Sequence, residues 1–396
     1  MTRLWDRGEP LDARILAYTA GEDHRLDARL VPYDCRASQA HARMLAKQGY
    51  LTSADAEALC RALDVVAEEF ARGAWTIALT DEDCHTAIEN RLVAVCGEAG
   101  RRIHLGRSRN DQVLVAIRLW LKDALASLAD DADAVAAALD AVVAAQGRIP
   151  MPGYTHLQRA MPSSVALWAG GFASELRDDA IGLRAAMRRA DKNPLGSAAG
   201  YGAPVVALDR AHTTAALGFA EVHDPVTAVQ VSRGKAEAHA LFEAALLAQD
   251  LGKMAADLCL FATYEFAFVK LPDAFTTGSS MLPQKRNPDV FELARGRTAE
   301  AFAALNEVLG VTAKMTSGYH RDWQLIKPAL FRGIEGVAAT ARVMAHAVPG
   351  LVFRADRLEA AMDPSLRAAE HANRMVVDEG LPFREAYRRV REQGLA

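Results

Sequence analysis

Between Arg109 and Gln146 the chain runs for 38 residues without a glycine or a proline. Apolar residues recur at Leu114, Ile117, Leu121, Ala124, Leu128, Ala132, Val135, Leu139 and Val142. These steps of three and four average about 3.5 residues, the spacing of a helix with one continuous apolar seam. One helix over the whole run is roughly 57 Å long at about 1.5 Å per residue, far beyond the usual globular helix. A seam of that length must be covered by partners of similar length, which restricts the fold to a long-helix bundle.

The partners are visible in the same sequence. Helical runs extend over 163–190, 233–270, 288–315 and 325–347, with Gly252, Gly296 and Gly310 inside them. Together with 109–146 they predict five long helices. The junctions collect the turn-forming residues: "IPMPGYTH" from 149, "NPLGSAAGYGAP" from 193, "TTGSSMLPQKRNP" from 276 and "TSGYHRDWQ" from 316. Strand-like alternation is nearly absent, so the expected class is all-α. The expected division is a helical N-terminal domain over 1–105, a central bundle over 106–353 and a short helical C-terminal domain over 354–396. Helices this long bury part of their apolar face against other copies, which predicts a homo-oligomer.

Composition narrows the partners and the compartment. A net charge of -4 and a pI near 6.3 provide no general attraction to nucleic acid or an anionic membrane, so an anionic ligand has to be gripped by locally placed cations. The five cysteines, Cys35, Cys60, Cys84, Cys96 and Cys259, are scattered and never paired as C-x-x-C, which argues against a disulfide framework or a zinc knuckle. The opening "MTRLWDRGEPLDARIL" carries charges where a signal peptide needs an apolar core. A reducing cytoplasm is the expected location, with no membrane anchor.

Three junctions carry more chemistry than connectors need. "GRSRNDQ" at 106–112 sets Ser108, Arg109 and Asn110 at the start of the longest helix, where free amides and the helix dipole favour an anion. "GYTHLQRA" at 153–160 sets Thr155 beside His156, just ahead of the next helical run. The 276–288 loop offers Gly278, two serines, Lys285 and Asn287. Taken singly, each has a plain explanation: a helix cap with solvated charges, a packed histidine, an exposed loop. Together they suit a carboxylate-bearing substrate and paired proton transfers. No H-E-x-x-H, phosphate-binding Walker loop or nucleophile elbow occurs, which leaves acid-base chemistry without metal or nucleotide cofactor as the reading.

The same residues resemble a known pattern. "GSSMLPQKRNP" is similar to the signature G-S-S-x-M-P-x-K-x-N-P of the fumarase, aspartase and argininosuccinate lyase superfamily. "IH" before "GRSRNDQ", with "PGYTHLQRA", "EDCHTAIENRL", "PLGSAAGYG" and "GYHRDWQLIK", resembles the argininosuccinate lyase branch, in the family's order from about residue 4 to 390. The resemblance implies three helical domains, a tetrameric core of long helices and active sites shared by three subunits. It implies elimination across a C–N bond, releasing fumarate and arginine from argininosuccinate in the last step of arginine biosynthesis.

By the same resemblance Ser279 is the base that takes the Cβ proton, and His156, oriented by Glu292, acts at the departing guanidinium. Lys285 and Asn287 supply the charge and an amide at the carboxylate that takes up the electron pair, Ser108, Asn110 and Thr155 hold the fumarate-forming half, and Arg109 positions its second carboxylate. Asp23, Asp83 and His85 on one side, with Tyr319, Gln324 and Lys327 on another, match the family's positions for the arginine end. Gly278 is the implied hinge of the loop. The chain departs from the family pattern at Leu105, Met161, His320, Asp23 and the exchanged pair Met281 and Leu282, all of which bear on substrate selectivity. Two alternatives stay open: a fumarate-releasing C–N lyase for another N-substituted aspartate, and a non-catalytic, crystallin-like structural role.

Overall fold

In the computed structural model, which describes residues 12–394, the run without glycine or proline forms one helix, Arg109–Gln146. Eight of its nine seam positions are buried; at Ala124 the seam drifts by one residue and Leu125 takes the enclosed place. That drift is the mismatch between a 3.5-residue repeat and a straight helix of 3.6 residues per turn. The other long helices are Val165–Ala190, Lys235–Phe261, Asp289–Thr312 and Ile326–Ala347. The class is all-α, and the strands among the described residues are three short two-stranded pairs.

The chain divides into two compact units. One gathers the residues up to Ser127 with Leu183–Glu243 and Phe302–Ile334; the other gathers Leu128–Gly182, Ala244–Ala301 and the residues from Glu335 on. In the first unit the helices Val31–Lys47 and Ser53–Ala71 are joined by a tight turn, and the Thr52 hydroxyl caps the second by accepting from Asp55 N at 3.1 Å. Ala37 and Ala40 of the first helix pack with Val115, Leu119, Leu195, Leu217 and Phe219 in one apolar cluster. Trp120 meets Phe331 edge to face at 4.6 Å. The start of the longest helix is fastened by Asp111. Its Oδ1 accepts from Ser108 N, and its Oδ2 accepts from Gly196 N and Ala198 N, all at 2.9 Å. Burial pushes this carboxyl up to about 6 even against those amides. The "PLGSAAGYG" loop is therefore stitched to the helix start by one enclosed side chain.

In the second unit Trp168 is the hub, edge-on to Phe172, Phe261 and Phe353, with its indole N–H donated to Asp257 Oδ2 at 2.9 Å. Gly252 lets two long helices approach closely, since a Cβ there would collide with the Thr298 methyl. The chain after Pro364 closes as a helical hairpin, Ala368–Glu379 and Phe383–Glu392, around Ala372, Ala386 and Val390.

Two expectations need correction. The helical run expected over 233–270 ends at Phe261; Val269–Lys270 is a strand paired with Val352–Phe353. The stretch "TYEFAFVK" is rich in aromatic and β-branched residues, which favour a pleated, half-buried surface over a helix. The second correction concerns His156, which was expected just ahead of a helix. It lies instead at the tip of an antiparallel hairpin, Pro150–Thr155 with Gln158–Ser164, and the helix starts only at Val165.

Candidate active site

Lys327, second residue of the Ile326–Ala347 helix, is buried between two carboxylates, 2.8 Å from Asp23 Oδ2 and 2.7 Å from Asp27 Oδ1. Burial raises the Asp23 carboxyl to about 7, although Lys327 pulls the other way and Asp27 adds to the rise. Burial also opposes the charge on Lys327, but the two aspartates outweigh it and lift the ammonium above its ordinary value.

Asp83 serves two purposes. It caps the Cys84–Cys96 helix by accepting from Thr86 N at 2.9 Å, and its other oxygen lies 2.8 Å from Arg109 Nε. Glu82, with a left-handed backbone, is shared by Arg109 at 3.3 Å and Arg321 at 3.2 Å. Burial works against the Asp83 charge, yet the cations His85 and Arg109 hold its carboxyl below the ordinary value. His85 Nδ1 pairs with the enclosed Asp34, whose other oxygen accepts from Ser38 Oγ at 3.0 Å. Burial alone would push the imidazole down, but Asp34, Asp83 and Asp27 together hold it at about 9, so it is an imidazolium at neutral pH. Gln324 Nε2 donates to Thr19 O at 3.1 Å and Ala20 O at 2.9 Å, satisfying carbonyls left open at the end of the Ala13–Ala20 helix.

These groups line one cavity of about 260 Å³ in the first unit. It brings together Asp23, Asp83, His85, Arg109, Asn110, Tyr319, Gln324 and Lys327, so the two groups expected on separate sides share one wall-to-wall site. Ser108 is half-buried at the cap of the adjoining helix, where its hydroxyl accepts from Asn110 N at 3.3 Å.

The remaining expected residues belong to the second unit. The 276–288 loop has a closed neck: Asn287 N donates to Thr277 O at 2.9 Å, Thr277 N to Asn287 O at 3.3 Å, and the Thr277 hydroxyl bonds Asp289. Inside the loop Ser279 Oγ accepts from Met281 N at 3.2 Å and from Leu282 N at 3.1 Å. Two amides aimed at one oxygen favour negative charge on it. Lys285 and Glu292 are exposed. The hairpin tip carries His156 and Leu157 at φ of 54° and 59°, the left-handed pair of a two-residue turn that normally takes Asn or Gly. Thr155 and His156 are exposed, and no hydrogen bond joins His156 to Glu292 among the described residues. A register shift at Gly153 and Tyr154 adds a bulge that sets the direction of the tip.

Residues 9–303 match the model of the Lyase family. The chain is 48% identical over 388 residues to the argininosuccinate lyase of Sorangium cellulosum (strain So ce56), covering 98% of this chain and 90% of that protein. The argininosuccinate lyase of Xanthomonas oryzae pv. oryzae (strain PXO99A) is 44% identical over 391 residues, with 98% and 90% covered. The chain belongs to the argininosuccinate lyase family.

Solved structures agree on the fold of this family member. EDDS lyase in complex with formate superposes with a TM-score of 0.81 at 24% identity, over 96% of this chain and 76% of that one. The class II fumarase from Schistosoma mansoni gives a TM-score of 0.79 at 16% identity, over 98% and 93%. Several cavity residues escaped the sequence reading, namely Asp27, Glu82, Arg233 and Arg321, as did Asp34, which pairs with His85. Asp27 stands four residues after Asp23, a spacing that puts both on one helical face and could have been noticed. Arg321 lies inside the "YHRDWQLIK" stretch, between His320 and Asp322, but nothing local marks it as a partner of Glu82.

Proposed function

We propose that this chain cleaves argininosuccinate reversibly to arginine and fumarate, as the last step of arginine biosynthesis in the cytoplasm. The observation that carries the reading is the 48% identity to an argininosuccinate lyase along 98% of the chain. The charged cavity supports it, since a zwitterionic, three-carboxylate substrate needs fixed groups of both signs.

In the proposed mechanism Ser279 Oγ takes the Cβ proton of the succinyl moiety. The electron pair moves into the adjacent carboxylate, giving a doubly charged aci-carboxylate that Lys285 and Asn287 stabilise, and its collapse forms the double bond of fumarate and breaks the C–N bond. The leaving guanidine nitrogen gains its proton from His156, with Glu292 orienting the ring. Serine is a poor base in water, and the two loop amides on Ser279 Oγ support its activation. Ser108, Asn110 and Thr155 hold the succinyl half and Arg109 its second carboxylate. Asp23, Asp83, His85, Tyr319, Gln324 and Lys327 receive the arginine half. The active form is a homotetramer in which other copies complete each site, and the three-domain division at residues 105 and 353 belongs to the same reading.

The test is turnover of the purified protein, with fumarate followed by ultraviolet absorbance and arginine by mass, and with adenylosuccinate, aspartate and malate in parallel. Fumarate and arginine from argininosuccinate, with little from the others, is the expected result. Product from another substrate alone would overturn the assignment. Ser279→Ala lowers kcat by at least about a hundredfold while argininosuccinate still binds, and His156→Asn does likewise with the oligomer intact. Near-normal turnover of either variant refutes that residue's role.

A further inference from the structure

We propose that Arg233 is the carboxylate anchor for the arginine end of the substrate, a role that rests on the lyase reading above. The inference comes from how the cations of the cavity are engaged. Lys327 is held by Asp23 and Asp27, His85 by Asp34, Arg109 by Asp83 and Glu82, and Arg321 by Glu82 and the Thr19 carbonyl. Each already has a carboxylate of the same chain within bonding distance.

Arg233 lines the same cavity and does not. Its side chain is only 4% exposed, and Nε and Nη1 are enclosed without a hydrogen-bond partner. Burial lowers its guanidinium from the ordinary value, with Glu237 close enough to offset part of that through space but not hydrogen-bonded to it. The guanidinium instead lies against the rings of Tyr319, 5.8 Å from the centroid, and Trp323, 5.5 Å. Ring faces support a cation but supply no acceptor for its N–H groups. An enclosed guanidinium with open donors is costly, and a planar two-oxygen anion is the ligand whose geometry fits its fork. Tyr319, Gln324 and Lys327, assigned above to the arginine half, line the same cavity as Arg233. The only carboxylate on the arginine half is its α-carboxylate.

The decisive experiment compares arginine with agmatine, which keeps the guanidinium and lacks the carboxylate. Both are offered with fumarate in the reverse reaction, and their binding is measured by calorimetry, for the wild type, Arg233→Gln and Arg233→Lys. The wild type prefers arginine by at least about tenfold, the size of one charge-assisted hydrogen-bonded pair. Arg233→Gln raises KM for argininosuccinate and arginine by about tenfold to a hundredfold, leaves kcat within about threefold, and leaves agmatine binding unchanged. Arg233→Lys falls between. A wild type that binds agmatine as well as arginine overturns the anchor without any variant, which covers the case of a substitution that fails to fold. Equal weakening of both ligands in Arg233→Gln overturns it as well, because the arginine would then be supporting the cavity and not reading the carboxylate. A wild type that binds arginine over agmatine but never cleaves argininosuccinate refutes the lyase reading and not the anchor.

Discussion

Replacing Lys327 by methionine tests the charge arrangement on which the cavity depends. Methionine has nearly the same volume as the lysine stem, so the packing around a residue that is 2% exposed is kept and the cation alone is removed. Asp23 and Asp27 are then left as neighbouring buried carboxylates. Breaking a buried ion pair in this way costs about 3–5 kcal/mol, because the surviving charges keep their desolvation penalty. Asp23 has a route to relieve it. Its folded value is already near 7, above the unfolded 3.8, and loss of Lys327 raises it further. For an acid raised in the folded state, stability falls as pH climbs from the unfolded value through the folded one. Below pH 7 Asp23 is protonated in both proteins, and the variant lacks only the Lys327–Asp27 pairing. Above pH 7 the wild type ionises Asp23 in the folded state at no further loss, whereas the variant continues to lose about 1.4 kcal/mol per pH unit until its higher value is reached. Urea titrations at equal protein concentration therefore show a deficit of about 3–5 kcal/mol for the variant at pH 6, from the lost Lys327–Asp27 pairing, that widens by about 3 kcal/mol at pH 9. A deficit equal at the two pH values, or below about 1 kcal/mol at pH 9, refutes the argument that Lys327 compensates Asp23.

Two further substitutions examine other parts of the same framework. Asp34→Asn removes the carboxylate that holds His85 at about 9, so the imidazole titrates below its ordinary value and is neutral at pH 8; imidazole proton NMR against pH shows this, and a value still near 9 would assign the charge to Asp83 and Asp27 instead. Leu157→Gly places glycine in a left-handed backbone at φ 59° with a side chain that is 81% exposed, so thermal unfolding rises by the equivalent of about 0.5–1 kcal/mol, and a fall would show that the leucine packs against something outside this chain.

How far the sequence could be read depended on the range over which each feature is decided. The five long helices were visible because a helix is local: period, absence of breakers and flanking turn residues lie within one run, and Arg109–Gln146 was delimited to the residue. Phe261 was not visible as a stop, since apolar residues continue through Phe268 and only pairing of Val269–Lys270 with Val352–Phe353, far along the chain, decides for a strand. The hairpin was hidden for a different reason. "MPGYTHLQRAMPSS" has two prolines and no alternation, and its turn uses His156 and Leu157 where a legible hairpin would show Asn-Gly. Within the cavity, motif residues such as Asp83 and Lys327 could be named, but their partners could not. Lys327 with Asp27 and Arg321 with Glu82 are pairings across hundreds of residues, which no local pattern encodes.

Those long-range pairings explain how a site so rich in charge can be rigid. Buried ion pairs seldom add net stability, but a cation held by two carboxylates cannot swing toward solvent, and donors fixed in advance need not reorganise when a ligand arrives. The consequence is that Lys327, Arg109 and Arg321 have most of their bonding capacity committed before any substrate enters. Among the polar cavity-lining groups only Asn110, Tyr319, Trp323 and Arg233 make no side-chain hydrogen bond within the described residues. Four open groups are too few for a ligand with three carboxylates, an ammonium and a guanidinium. The groups that would supply the rest, Thr155, His156, Lys285 and Glu292, are exposed in the single chain. Exposure of a histidine on a strained turn, and of a lysine in the loop whose serine hydroxyl is already bonded to two amides, has no advantage for an isolated chain. The homotetramer proposed above would give it one, since each copy would then offer its neighbours the acid-base groups that the preformed cavity lacks.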